Sequence, residues 1–131
     1  MRYLLDTNIC IYTINDKPHH VLERFQFEDP EGIGLSSVSA AELACSVAKS
    51  GSTKNQRALE MFLSALKILP FDEQAIWEYG RIRFELDRIG QPIGGLSTMI
   101  AAHAISLNAT LVTNNTREFA RVRGLRLENW S

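Results

Sequence analysis

Three acidic residues stand at or just inside the starts of helix-forming stretches. Asp6 follows Arg2-Tyr3-Leu4-Leu5, Glu42 follows Ser39-Ala40-Ala41, and Glu118 follows Asn115-Thr116-Arg117. Carboxylates gathered from distant points of a chain are the donors that a hard cation such as Mg²⁺ or Mn²⁺ takes. Each acid also has an ordinary structural account. Asp6 suits an N-cap, a role that stabilises a helix by about 1 kcal/mol. Glu42 completes a capping box with Ser39 at the head of a helix, reaching back to the Ser39 backbone, and this account stands even with a metal-facing one. Glu118 complements the dipole in the first turn of a helix. Ser97, after the Pro92–Gly95 loop, is explained as an N-cap, and His103 among Ile100, Ala101 and Ala102 as a satisfied, partly buried histidine. His19 and His20 read as surface residues near a helix start.

The elements that must position these residues follow from pattern. Arg2-Tyr3-Leu4-Leu5, Ile33-Gly34-Leu35-Ser36, Ile68-Leu69-Pro70, Thr110-Leu111-Val112 and Leu125-Arg126-Leu127 read as short strands. Between them lie helical patterns: one from Ile9, one carrying Val21, Leu22 and Phe25 behind Pro18, and one from Ser39 to about Lys49. Others carry Leu59, Phe62, Leu63 and Leu66, span about 73–89 up to Gly90, start at Ser97, and start near Thr116. Apolar strands alternating with helices predict an α/β fold, a mostly parallel sheet flanked by helices on both faces. Such sheets work at the carboxyl ends of their strands. The residues there, Asp6-Thr7-Asn8, Ser36-Ser37 and Thr113-Asn114-Asn115, are all polar and converge on one edge.

Bulk properties bound the reading. The 131 residues suit one domain, 1–131, large enough to bury a core. A hydrophobic fraction of 45% with 22% charged residues is ordinary for a soluble globular protein. No apolar run approaches the roughly 20 residues of a membrane span, and the apolar start is cut short at Asp6, so the cytoplasm is the default address. A net charge of −1 excludes a protein that coats nucleic acid by bulk electrostatics. Any nucleic-acid contact is local, and Arg117, Arg121, Arg123 and Arg126 are either its source or a solvated face. Cys10 and Cys45 are too few and too far apart for a disulfide framework or a zinc site, and both read as buried small hydrophobes.

Four blocks together resemble the PIN-domain family: Leu5-Asp6-Thr7-Asn8, Ser39-Ala40-Ala41-Glu42-Leu43, Ile93-Gly94 through Ile100-Ala101-Ala102-His103-Ala104, and Val112-Thr113-Asn114-Asn115-Thr116-Arg117-Glu118-Phe119. Gly124-Leu125-Arg126-Leu127-Glu128-Asn129-Trp130 adds to the match, which spans essentially the whole chain. Within the family the chain is similar to the VapC toxins of bacterial VapBC toxin–antitoxin pairs. The resemblance implies a Mg²⁺- or Mn²⁺-dependent endoribonuclease acting on tRNA, at the anticodon loop of initiator tRNA. It implies a VapB antitoxin that inserts a segment into the toxin's groove and itself binds operator DNA. It also implies a homodimer or larger toxin–antitoxin assembly; no membrane partner is expected, since no apolar run is long enough to span one. By the same resemblance Asp6 and Glu42 are the first and second site acids and Glu118 a further one. Thr7, Asn8 and Thr113 orient the acids, and Asn115 carries an amide near where many members have a metal-binding Asp.

One position departs. After Ile93-Gly94-Gly95-Leu96 the family carries its third metal-binding acid, and this chain has Ser97. A neutral hydroxyl is a far poorer ligand for a hard divalent cation than a carboxylate. The expectation is a recognisable site that is inactive or weakened, with fold and antitoxin binding intact. Ser97 as an introduced change and Ser97 as natural decay are equally open. The alternative is a catalytically dead binding module that only holds an antitoxin and tunes operator binding. A phosphatase-like or nucleotide-binding α/β domain ranks low: position 8 is Asn rather than a second Asp, and no glycine-rich phosphate loop follows.

Overall fold

The computed structural model describes residues 2–16 and 32–130. The expected helix behind Pro18 and the two histidines His19 and His20 lie outside these residues. The described elements run β1 (Tyr3–Leu5), α1 (Thr7–Asp16), β2 (Ile33–Ser36), α2 (Ser37–Ser50), α3 (Thr53–Ser64), β3 (Lys67–Leu69), α4 (Glu73–Arg88), α5 (Gly95–Ser106), β4 (Thr110–Val112), α6 (Thr116–Phe119) and β5 (Leu127–Glu128).

The five strands among the described residues form one sheet in the order β3-β2-β1-β4-β5. Every neighbouring pair is parallel, with Leu5 opposite Leu35 on one side and Val112 on the other. The chain builds outward from β1 in one direction and then restarts at β4 on β1's other side. The crevice between the carboxyl ends of β1 and β4 is therefore the topological switch point, where sheets of this kind bind their ligands.

Alternation along the strands divides the core. Tyr3, Leu5, Ile33, Leu35 and Val112 face one cluster with Ile9, Leu43, Leu59 and Trp130. Leu4 and Leu111 face the other, with Ile82, Leu86, Ile100, Ala101 and Phe119. A sheet covered on both faces needs no polar side, which is why β1 is apolar at all three of its positions.

The caps differ from the expected ones. Ser36, the last strand residue, caps α2, its Oγ accepting the Val38 N–H at 3.1 Å. The helix thus starts before Ser39, whose hydroxyl is buried without a partner among the described residues, so no Ser39–Glu42 capping box forms. Gly94 rather than Ser97 is the N-cap of α5, and no side chain caps that end. Asp72 caps α4 through the Ala75 N–H. Strand β3 stops before Pro70 and β5 begins at Leu127, each displaced from its expected span. Cys10 is buried as expected, and burial pushes its thiol pKa up; Cys45 is exposed on α2, against expectation. No helix among the described residues is long and apolar enough to cross a membrane.

Candidate active site

Asp6 follows β1 directly and is 4% exposed. Its backbone N–H continues the ladder to the Val112 carbonyl at 2.8 Å, which sets the residue at the end of both β1 and β4. Each carboxylate oxygen accepts one hydrogen bond: Oδ1 from the Thr7 N–H at 2.8 Å, Oδ2 from the Thr113 hydroxyl at 2.8 Å. Thr113 Oγ1 in turn accepts the Asn115 N–H at 2.9 Å. The carboxylate is thus held from two strands and one helix start, with lone pairs left on both oxygens.

Glu42 lies in the second turn of α2 and accepts the Thr7 hydroxyl on Oε1 at 2.8 Å. Thr7 therefore serves two acids, its amide holding Asp6 and its hydroxyl holding Glu42. Glu118, in the first turn of α6, accepts the Gly94 N–H on Oε1 at 3.2 Å and the Asn115 side-chain amide on Oε2 at 2.7 Å. Ser97 stands beside it: a methyl built on Gly94 would lie 3.8 Å from Ser97 Oγ and 3.9 Å from Glu118 Oε1. The helix start at Gly94 is locked further by Thr98, whose hydroxyl donates to the Gly94 carbonyl at 2.8 Å.

Electrostatics unite the group. Burial lifts the Asp6 carboxyl above its ordinary 3.8, and the nearby charges of Glu42 and Glu118 lift it further. The bonds from Thr113 and Thr7 oppose that rise. Acids that repel one another in a buried corner gain from a shared cation. Among the described residues no three His, Cys, Asp or Glu side chains close into a ready cage. The donor set suits an ion that keeps several waters and takes one or two carboxylates, which is the habit of Mg²⁺.

Of the residues expected at the site, Asp6, Glu42, Thr7 and Thr113 form one hydrogen-bonded network. Glu118, Asn115 and Ser97 form its neighbouring edge. Asn8 is exposed on α1 and takes no part in these bonds. Pattern reading missed the Gly94 N–H as a holder of Glu118, because backbone donors leave no mark in residue types. Alongside, a groove of about 580 Å³ runs from Glu42 along α2, lined by Val38, Ala41, Cys45, Lys49 and Leu96.

A model of the PIN domain matches residues 3–125. With this match over most of its length, the parallel sheet and the acids at its switch point, the chain belongs to the PIN-domain family. Its near relatives are VapC proteins. It is 46% identical over 132 residues to the tRNA(fMet)-specific endonuclease VapC of Shigella flexneri, covering 100% of this chain and 99% of that one. It is 45% identical over 132 residues to Ribonuclease VapC2 of Rickettsia felis, covering 99% and 98%. Among solved structures, VapBC2 from Rickettsia felis bound to a DNA fragment from its promoter matches with a TM-score of 0.92 at 42% identity, over 100% of both chains. VapBC-1 from nontypeable Haemophilus influenzae matches with a TM-score of 0.88 at 36% identity, over 99% and 98%.

Proposed function

We propose that the chain is the toxin of a VapBC pair, a metal-dependent endoribonuclease site directed at initiator tRNA and weakened by Ser97. The observation that carries this reading is the buried Asp6 carboxylate at the switch point, raised in pKa and flanked by Glu42 and Glu118. The relatives named as tRNA(fMet)-specific endonuclease and ribonuclease support the substrate class. The solved complexes of VapB with VapC on DNA support an antitoxin partner, with operator DNA reached through the antitoxin. The groove beside Glu42 suits an inserted antitoxin segment, having apolar walls and Lys49 along α2.

Asp6 and Glu42 would hold Mg²⁺ or Mn²⁺, with Glu118 at the neighbouring edge. When bound, the ion supplies an activated water at neutral pH and offsets charge building on the phosphate. The chain's own residues supply rigidity. Thr7 and Thr113 fix the rotation of the Asp6 carboxylate, and Thr7 fixes Glu42 relative to it. Gly94 and Asn115 hold Glu118, so that its carboxylate keeps one orientation. Ser97 brings a neutral hydroxyl to this edge, leaving the cluster one charge short of the family's pattern.

The test is tRNA cleavage in Mg²⁺ by the chain as it stands, by Ser97→Asp, and by Ser97→Asp with Asp6→Asn. Cleavage restored by the first substitution and lost on adding the second is the expected result. A second reading, that of a binding module, is favoured by Ser97 itself. It gains if Ser97→Asp neither cuts RNA nor takes up Mn²⁺ while the antitoxin still binds.

A further inference from the structure

Helices α2 and α5 carry Glu42 and Ser97, and a buried hydrogen bond ties the cap of α2 to α5. His103 on α5 is 1% exposed, and its Nδ1 lies 2.7 Å from Ser36 Oγ. Ser36 is also the N-cap of α2, accepting the Val38 N–H at 3.1 Å. The same corner is closed from the third side. The His103 ring meets Phe71 edge-on with centroids 5.5 Å apart, and the Phe71 N–H donates to Ser37 Oγ at 3.1 Å.

The bonding fixes the ring's state. Burial lowers the His103 pKa, against the smaller opposing pulls of Asp72 and the Pro70 carbonyl, which favours the neutral ring. The pull from Pro70, whose backbone has only a carbonyl to offer, calls for a ring N–H, and with Nδ1 engaged by Ser36 we assign that proton to Nε2. Nδ1 therefore accepts from the Ser36 hydroxyl, whose own lone pair takes the Val38 N–H. With that assignment, each bond from His103 through Ser36 to Val38 has one direction.

We infer that His103 is a positioning residue for the acid site: through Ser36 it sets where α2, and with it Glu42, stands against α5 and position 97. This rests on the reading of Asp6 and Glu42 as metal-holding acids. The lever is short. Glu42 is six residues beyond Ser36, and position 97 is six residues before His103, so each lies about 9 Å along its helix from the contact. A turn of either helix at this pivot moves Glu42 relative to position 97 and strains the Thr7–Glu42 bond. A buried histidine that only filled space would carry no such consequence.

Two substitutions separate the two bonds. His103→Asn keeps an acceptor where Nδ1 stands, facing Ser36, while His103→Gln keeps a donor where Nε2 stands, facing Pro70. In the Ser97→Asp protein, calorimetry with MnCl₂ should show His103→Asn near the parent's affinity. His103→Gln and Ser36→Ala should bind about tenfold more weakly, the scale of losing an outer partner of a metal ligand. Melting temperatures of the two His103 variants should fall together, which separates positioning from stability. Equal Mn²⁺ affinities for His103→Asn and His103→Gln would overturn the inference. If Ser97→Asp takes up no Mn²⁺ at all, the metal reading fails, and metal-free hydrogen exchange decides the positioning by itself. His103→Gln should speed exchange at residues 38–43 relative to α3, and His103→Asn should not. Equal exchange in the two variants overturns the inference as well.

Discussion

The Thr113 hydroxyl donates to Asp6 Oδ2 at 2.8 Å across 107 positions of sequence, tying the end of β4 to the end of β1. That bond stabilises the ionised form of an acid that its surroundings push toward the neutral one. Burial is the largest cause of the rise, with Glu42 and Glu118 adding to it. The folded protein thus holds the Asp6 proton more tightly than the unfolded chain does. Stability from this group is fully present below its unfolded pKa near 3.8 and is lost as pH rises through the raised folded value. Carbon-detected NMR titration of the metal-free protein should place Asp6 above 3.8, should move it down in Glu42→Gln, and should move it up in Thr113→Val. An Asp6 titration indifferent to Glu42→Gln would remove the basis for a shared cation. Thr113→Val should also cost about 1–3 kcal/mol, because it strips a partner from a buried carboxylate.

Thr7 gives a second prediction, since its amide and hydroxyl hold different acids. Thr7→Val keeps the amide bond to Asp6 and loses only the hydroxyl bond to Glu42. The stability loss should be about 1 kcal/mol, a typical net value for one hydrogen bond. The loss in Mn²⁺ affinity of the Ser97→Asp protein should be about tenfold or more, since Glu42 is then free to rotate. Thr7→Ser, which keeps the hydroxyl, should recover the affinity. Calorimetry and thermal melts on the three proteins measure both quantities, and parallel losses in both would assign Thr7 to the fold alone.

The sheet and its site edge were legible because short apolar runs end in polar clusters. Thr110-Leu111-Val112 before Thr113 is correct to the residue, and the run before Asp6 differs only in that the strand leaves out Arg2. The caps were not legible. Ser36, Ser37 and Ser39 are all good capping residues, and β2 runs into α2 with no loop between, so composition cannot say which serine is the cap. At α5 the cap is Gly94, a residue with no side chain to announce it. Cys45 was misplaced because α2 is small and apolar on several sides, so its buried face, Ser39 and Leu43, does not stand out. The pairing of Thr7 with Glu42 spans 35 positions, and no local pattern encodes a contact of that range. The acids themselves were visible as residues, but position alone left each as a cap or a first-turn charge. The metal-holding roles proposed for them rest on the family resemblance.

The arginines near α6 yield a third prediction. Arg117 is exposed next to Glu118, and Arg121 donates to the Pro92 carbonyl at 3.1 Å, over the loop that leads to Gly94. A site lined by carboxylates repels RNA phosphates, so binding requires cations at its rim, and a net charge of −1 offers no general attraction. Arg117→Gln and Arg121→Gln should weaken binding of a tRNA anticodon-loop hairpin, measured in EDTA so that no metal-dependent cleavage breaks the complex. Each phosphate deprived of its arginine should lower the slope of log affinity against log salt by about 1. Fluorescence anisotropy at several salt concentrations measures this, and unchanged slopes would return the arginines to a solvated face.

Ser97→Asp is the prediction on which the enzyme reading turns. Aspartate at position 97 lies in the first turn of α5, where a negative charge gains from the helix dipole, and beside Glu118, where it is repelled. These effects oppose, so the metal-free melting temperature should change by no more than the equivalent of about 1 kcal/mol. Added metal should then separate the two proteins. An ion bound only to the folded state at a concentration about a hundred times its dissociation constant stabilises by about 2.7 kcal/mol. The Ser97→Asp melt should therefore rise with Mg²⁺ or Mn²⁺ while the melt of the chain as it stands moves much less. Cleavage of initiator tRNA should rise by about two orders of magnitude, the scale of restoring one preorganised charge-stabilising group. A substituted protein whose melt gains nothing from metal and whose cleavage stays at the starting level would show that position 97 is not the third acid. A melt that responds to metal without any gain in cutting would instead place the missing element in substrate binding, where the Arg117 and Arg121 variants test it independently.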